Sequence, residues 1–193
     1  MRTEQEKIII DYSHTPDSLE KTLMVIRKIT DKKNPVFTVF GCGGNRDKLK
    51  RPLMGKIATE LSDDVIVTSD NPRNENPSEI IEDIKAGITT DNYKVIEDRE
   101  KAIEEAIKKS QKNSVILIAG KGHEDYQEIG NVRHHFSDKE IAKNILEFEK
   151  VHLNIEDIFN LTSSVIYEPD KLKRIDYVSI DSRKIKKTLY LLH

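Results

Sequence analysis

Apolar positions in the first 150 residues alternate between short unbroken runs and longer stretches in which they recur every three or four residues. Residues 7–11 (KIIID) form the first run. Thr15 and Pro16 then supply an N-cap and a first helical position, and Leu19, Leu23, Ile26 and Ile29 line one face of the helix that follows. Residues 36–40 (VFTVF) predict a buried strand that runs straight into Gly41-Cys42-Gly43-Gly44, after which Pro52 opens a helix carrying Leu53, Ile57 and Leu61. A third strand is expected at 65–68 (VIVT). Asn76, Pro77 and Glu79 start a helix with Ile80, Ile81, Ile84 and Ile88 on its apolar face. A fourth strand at 93–96 precedes a helix capped by Asp98, with Ala102, Ile103, Ala106 and Ile107 on one side. The fifth strand, 114–119 (SVILIA), ends at Gly120. A hairpin over 126–136 turns at Gly130-Asn131, and Ser137 caps a last helix with Ile141, Ile145 and Leu146.

Five strand–helix alternations predict an α/β domain: a doubly wound, Rossmann-like, mostly parallel sheet of about six strands with helices on both faces. Unbroken apolar strands suit a sheet covered on both sides. In such sheets ligands bind at the C-terminal strand ends. The unusual loops, 11–16, 41–51, 69–77 and 120–126, all fall there, which points to one site. Residues 1–150 are therefore read as one domain. Residues 151–193 change character: a short helix candidate, two strand candidates, a basic loop and an apolar run, too few residues for an independent core without a metal or disulfide.

Composition narrows the class. Among 193 residues, 32 Lys+Arg against 34 Asp+Glu leave a net charge of −2, so no global field favours nucleic acid or an anionic membrane. The single cysteine, Cys42, excludes an internal disulfide and a multi-cysteine zinc site. No apolar run approaches a membrane span, and the N-terminus lacks a signal-peptide core. The expectation is a cytoplasmic protein with no membrane span.

Three loops carry candidate chemistry. GCGGNRDKLKR sets Arg46, Lys48, Lys50 and Arg51 beside glycines whose backbone N–H groups can face an anion; the other reading is a tight turn with a solvated basic rim. It is neither a Walker A loop nor a clean G-x-G-x-x-G, since Arg46 occupies the third glycine position. SDNPR fixes Asp70, Asn71 and Arg73 around Pro72. A guanidinium can clamp a carboxylate and an aspartate can accept from an ammonium, so the loop suits a zwitterion, against the alternative of an ordinary Asx-Pro turn. GKGHEDYQ adds Lys121, His123 and Glu124, with no ligand spacing for a metal. Asp11 and His14 at the first strand end have helix capping as their alternative. Met24 and Met54 read as core filling, and Cys42 as a small buried residue rather than a thiol nucleophile.

DYSHTPDSLEK, VFGCGGNRDKLKRPLMG, TSDNPRNENP, AGKGHEDYQ and FSDKEIA, in that order, resemble the C-terminal domain of the Mur ligases, most closely the diaminopimelate-adding (MurE) type, over residues 7–149. The resemblance implies a Rossmann-like domain of an enzyme that joins an amino acid to UDP-MurNAc-L-Ala-D-Glu through an acyl phosphate made from ATP. It implies that Arg46, Asp70, Asn71, Pro72, Arg73, Gly120 and Glu124 hold meso-diaminopimelate, and that Asp11 and His14 lie on the ATP side. The distal carboxylate of diaminopimelate, which lysine lacks, is a partner for Arg73. ATP and Mg2+ would be held mainly by the family's central domain, and no Walker A motif occurs in these 193 residues; the chain alone is expected to be inactive, with N-terminal and central Mur ligase domains as its partners. The tail, LNIEDIFNLTSSVIYEPD…IDYVSIDSRKIKK, resembles the start of a MurF-type N-terminal domain and nominates Ser182 for a UDP-sugar. The expectation drawn is a C-terminal piece of one ligase joined to the interrupted start of another, with a short C-terminal extension as the alternative. A stand-alone, non-catalytic amino-acid- or nucleotide-binding module is the competing functional reading.

Overall fold

A computed structural model of the chain describes residues 7–30, 33–111 and 113–150, with side chains through residue 146. The chain divides into units Met1–Leu146 and Glu147–His193, and the architecture is that of the first. The expectations for residues 151–193, Ser182 included, lie outside the described residues.

Five strands, β1 (Lys7–Asp11), β2 (Val36–Phe40), β3 (Asp64–Val67), β4 (Tyr93–Val95) and β5 (Val115–Ala119), form an all-parallel sheet in the order β1-β5-β2-β3-β4. Two more, β6 (Tyr126–Ile129) and β7 (Val132–His135), make a separate antiparallel hairpin. The expected sheet of about six strands is thus corrected to five plus a ribbon. The ribbon's strands, YQEI and VRHH, are mostly polar and every residue is half-buried or exposed, so they lack the unbroken apolar character of strands covered on both faces.

Helices α1 (Pro16–Ile29), α2 (Lys50–Leu61) and α3 (Pro77–Lys85) cover one face, where Leu19, Leu23, Met54, Ala58, Ile81 and Ile84 meet Val36, Phe40, Val65 and Leu117. Helices α4 (Arg99–Lys109) and α5 (Asp138–Lys150) cover the other, where Ile103, Ile107 and Ala142 meet Val39, Ile66 and Ile118. The caps follow the sequence signals: Thr15 and Ser18 complete a reciprocal capping box, Asn76 accepts from Ser78 N–H, and Asp98 accepts from Lys101 N–H.

Three packing expectations need correction. Ile29 and Met24 lie on the exposed side of α1, because Leu19, Leu23 and Ile26 already fill its inward stripe. Helix α2 begins at Lys50, before Pro52, and buries Arg51, Met54, Gly55, Ala58 and Thr59 rather than Leu53. Gly55 has no side chain because α3 comes very close: a Cβ there would lie 2.4 Å from the Ile84 carbonyl oxygen.

The connection through α4 carries the chain back across the sheet to insert β5 between β1 and β2. The direction of winding reverses there, between β5 and β2, the place where wound sheets of this kind bind their ligands.

Candidate functional site

Four loops leave the C-terminal strand ends, and backbone bonds knit them together. Gly44 N–H donates to the Asn71 carbonyl (2.9 Å), and Gly120 N–H to the Asp11 carbonyl (3.1 Å). Gly44 is required by this approach, since a Cβ there would lie 1.9 Å from the Pro72 oxygen. Gly120, at φ +115°, faces Asp70, whose Oδ2 would be 2.7 Å from an added Cβ. The hairpin docks on the DNPR loop: Arg73 N–H donates to the Glu128 carbonyl (3.0 Å) and Gly130 N–H to the Arg73 carbonyl (2.8 Å). These two bonds hold Arg73 at φ +51°, a left-handed conformation that costs a non-glycine residue about 1–2 kcal/mol. Such strain is characteristic of sites that aim a side chain.

The polar groups are arranged as follows. Asp70 and Asn71 are buried, at 7% and 3% exposure. Among the described residues no group hydrogen-bonds the Asp70 carboxylate, which interacts electrostatically with the buried Arg99 guanidinium. Arg73 pairs through Nε with Glu128 (3.2 Å) and donates from Nη1 to the Gly44 carbonyl (2.9 Å); among the described residues Nη2 makes no bond. Asn71 Nδ2 donates to Glu124 Oε2 (3.0 Å), and Gln127 Nε2 to the Asp70 carbonyl (2.7 Å). Arg46 is exposed, and among the described residues it donates to its neighbour's carbonyl alone. Its stem nevertheless flanks Gly43 opposite Arg73: a Cβ on Gly43 would be 3.7 Å from Arg46 Cγ and 2.9 Å from Arg73 Nη1. Asp70, Asn71, Arg73, Gly120 and Glu124 therefore come together, with Pro72 as the turn that spaces them and Arg46 at the rim.

The rest of the basic loop does something other than expected. Arg51 is fully buried and donates to Glu75 (2.9 and 3.0 Å) and Asp83 (2.8 Å); Lys48 pairs with Glu75 (3.2 Å); Lys50 donates to the His14 carbonyl (2.7 Å). These cations are consumed within the fold, so the basic loop is largely a brace between α2 and the DNPR loop. The Arg51 bonds hold the Glu75 carboxyl down at about 2 from its ordinary 4.5.

The second group lies at the β1 end. Asp11 Oδ2 accepts from Ser13 N–H (3.0 Å), from the Ser13 hydroxyl and from Thr22 (3.3 Å). His14 is exposed, its ring 4.6 Å from that of Tyr12, which lies 5.6 Å from His123. Asp11, Tyr12, Ser13 and His14 line an open hollow of about 440 Å³ at the start of α1. Cys42 lies within the core against Met54, and burial pushes its thiol up to about 12. Among the described residues no three His, Cys, Asp or Glu side chains gather to hold a metal.

Sequence reasoning missed Glu128, Arg99 and Asp138, and the buried role of Lys121. Lys121 lies wholly inside beneath Asn71 and Glu124. Glu128 engages Arg73. Arg99 and Asp138, both buried, form a two-bonded ion pair (2.9 and 2.8 Å), from which Arg99 also reaches the Ala119 carbonyl (2.9 Å) and the Ser69 carbonyl (3.5 Å). The one local cue was Arg99 itself, a cation in a helix's first turn where the dipole disfavours it.

Comparison with known proteins agrees with this layout. The family model for the Mur ligase glutamate ligase domain matches residues 1–122. Among curated relatives, UDP-N-acetylmuramoyl-L-alanyl-D-glutamate–2,6-diaminopimelate ligase 1 of Clostridium acetobutylicum is 52% identical over 140 residues, covering 72% of this chain and 29% of that protein. The like-named ligase of Haemophilus ducreyi is 55% identical over 140 residues, covering 72% and 28%. A solved structure of a ligase of the same name superposes with a TM-score of 0.72 at 40% identity, over 78% of this chain and 31% of that one. A murein peptide ligase from Psychrobacter arcticus, 14% identical with a TM-score of 0.53 over 79% and 30%, shares the fold. The chain spans less than a third of the length of these relatives. Loop geometry, sheet order and sequence thus converge: the chain belongs to the Mur ligase family, as its C-terminal domain.

Proposed function

We propose that this chain is the amino-acid-recognition domain of an ATP-dependent ligase that adds meso-diaminopimelate to UDP-MurNAc-L-Ala-D-Glu in peptidoglycan precursor synthesis. The observation that carries the reading is the combination, on one loop, of an Asp70 carboxylate and an Arg73 Nη2 to which no described residue bonds, beside Gly120 and Glu124. That set is complementary to an amino acid's ammonium and carboxylate held close together, as at the distal end of diaminopimelate.

In this reading Arg73 takes the distal carboxylate, Asp70 and Glu124 take the distal ammonium, and Arg46 at the rim adds positive potential. Lysine would leave Arg73 without a carboxylate. Asp11 and His14, in the hollow beside Tyr12, lie on the side facing ATP. ATP and Mg2+ supply the phosphoryl chemistry when bound, and the chain's own part is to orient the attacking amine. The substrate partners are meso-diaminopimelate, ATP and UDP-MurNAc-dipeptide, and the protein partners are N-terminal and central Mur ligase domains. Among the described residues no helix is long and apolar enough to cross a membrane.

Calorimetry of the chain with meso-diaminopimelate, L-lysine and NAD tests this. Losing a charge-assisted bond of about 1.5–3 kcal/mol predicts that lysine binds about 10- to 150-fold more weakly, and that Arg73→Ala removes the preference. Equal affinity for the two amino acids, or preferential NAD binding, would overturn the reading. Mixing the chain with separately expressed N-terminal and central domains should restore diaminopimelate-dependent ATP turnover that neither part shows alone; failure there favours a non-catalytic binding module.

A further inference from the structure

Lys121 is the buried cation that the proposed recognition scheme leaves unused, and its surroundings give it a specific task. The side chain is fully buried. Its ammonium has three N–H donors and three oxygen acceptors: Asn71 Oδ1 at 3.2 Å, Glu124 Oε2 at 3.3 Å and the Tyr126 carbonyl. The donors are exhausted, so Lys121 has none left for a ligand. The rings of Tyr126 and Phe136, with centroids 5.4 and 6.0 Å from Nζ, line the ammonium's surroundings.

Both side-chain acceptors belong to the proposed ligand site. Asn71 Oδ1 accepts from Lys121 and from Glu128 N–H (2.9 Å). Two donors on that oxygen dictate the amide's orientation and turn Nδ2 toward Glu124 Oε2, 3.0 Å away. Glu124 Oε2 then receives both Lys121 and Asn71, and among the described residues Oε1 is its unoccupied oxygen.

We infer that Lys121 is a positioning residue that orients the Asn71 amide and the Glu124 carboxylate so that Glu124 Oε1 and the second Asn71 Nδ2–H face the bound amino acid. This rests on the diaminopimelate reading for its ligand but not for its geometry. Without Lys121, Asn71 loses one of the two donors that fix its amide, and Glu124 loses the cation that occupies Oε2. A flipped amide would set Oδ1 against Glu124, acceptor against acceptor.

The test uses the full chain, isotopically labelled, as wild type, Lys121→Met and Lys121→Gln. In ligand-free protein both variants should shift the Asn71 side-chain NH2 resonance while backbone signals on β1–β4 stay in place. Both should weaken meso-diaminopimelate binding at least tenfold, and Lys121→Arg, which keeps the charge, should recover part of it. If Lys121→Met does not fold, Lys121→Gln, with its own N–H donors on a similar stem, decides the matter by the same two readouts. An unshifted Asn71 resonance in a folded variant, or unchanged affinity, overturns the inference. If wild type itself does not bind meso-diaminopimelate, the functional reading fails, and the Asn71 resonance still decides the positioning role.

Discussion

The Arg99–Asp138 pair provides the most demanding test of how the site is supported. Both side chains are fully excluded from water, and the guanidinium bonds both carboxylate oxygens, at 2.9 and 2.8 Å. It also reaches the carbonyls of Ala119 and Ser69, the residues just before Gly120 and Asp70, so one cation bridges two strand ends beneath the site. Asp138→Asn removes the counter-charge bonded to that cation and leaves only the non-bonded carboxylates of Asp70 and Glu124 acting on it. Breaking a buried pair in this way costs about 3–5 kcal/mol, well above the roughly 0.3–1 kcal/mol expected from losing a negative charge in the first turn of α5. At about 2–4 °C per kcal/mol for a domain of this size, the midpoint of thermal unfolding should fall by about 6–20 °C. The double variant Arg99→Met/Asp138→Leu removes both charges and should recover much of the loss. Recovery will be incomplete because the Ala119 carbonyl loses its donor, at about 1–3 kcal/mol. Urea unfolding followed by circular dichroism of wild type, Arg99→Met, Asp138→Leu and the double variant closes the cycle, with an expected coupling of about 2 kcal/mol or more. A loss under about 1 kcal/mol in Asp138→Asn, or a double variant destabilised by the sum of the singles, would refute the reasoning.

Other predictions follow from the same geometry. Arg51 lowers the Glu75 carboxyl to about 2, so the stability this contributes is present above about pH 4.5 and is lost as pH falls toward 2; urea midpoints of Glu75→Gln should vary less than wild type across that window. Burial raises the Cys42 thiol to about 12, so labelling by a thiol reagent at pH 8 should be slow in the native chain and complete within minutes in urea, and rapid native labelling would contradict the buried placement. Gly44→Ala drives a methyl against the Pro72 oxygen and should cost about 1–3 kcal/mol or more in urea unfolding, whereas Gly130→Ala meets no atom within 4 Å and should cost only the left-handed backbone penalty of about 1–2 kcal/mol.

What could be read from the chain, and what could not, divides by range. The five apolar runs became the five parallel strands, and Thr15, Asn76 and Asp98 cap the helices their spacing indicated, because those signals act within a turn or two. The loops carrying Asp70, Asn71, Arg73, Gly120 and Glu124 were placed correctly because strand ends in a wound sheet share one edge. Long-range pairing was not legible. Arg51 is a buried brace because Glu75 and Asp83 arrive 24 and 32 residues later, and Arg99 finds Asp138 39 residues on. The inward face of α2 was misread because large apolar residues usually mark the core, and here the proximity of α3 selects glycine at position 55 instead. The place of β5 between β1 and β2 is a property of the tertiary winding, to which local periodicity is blind.

The central claim is that the loops after β2, β3 and β5 form one site that recognises meso-diaminopimelate through its distal carboxylate. The most direct measurement is a titration of the labelled chain with meso-diaminopimelate, followed by backbone and arginine side-chain resonances. The account predicts saturable shifts centred on residues 43–46, 70–73 and 120–128, including the Arg73 guanidinium, that L-lysine does not reproduce. Shifts centred on the hollow at Tyr12–Thr22, or an Arg73 signal that responds equally to lysine, would contradict it.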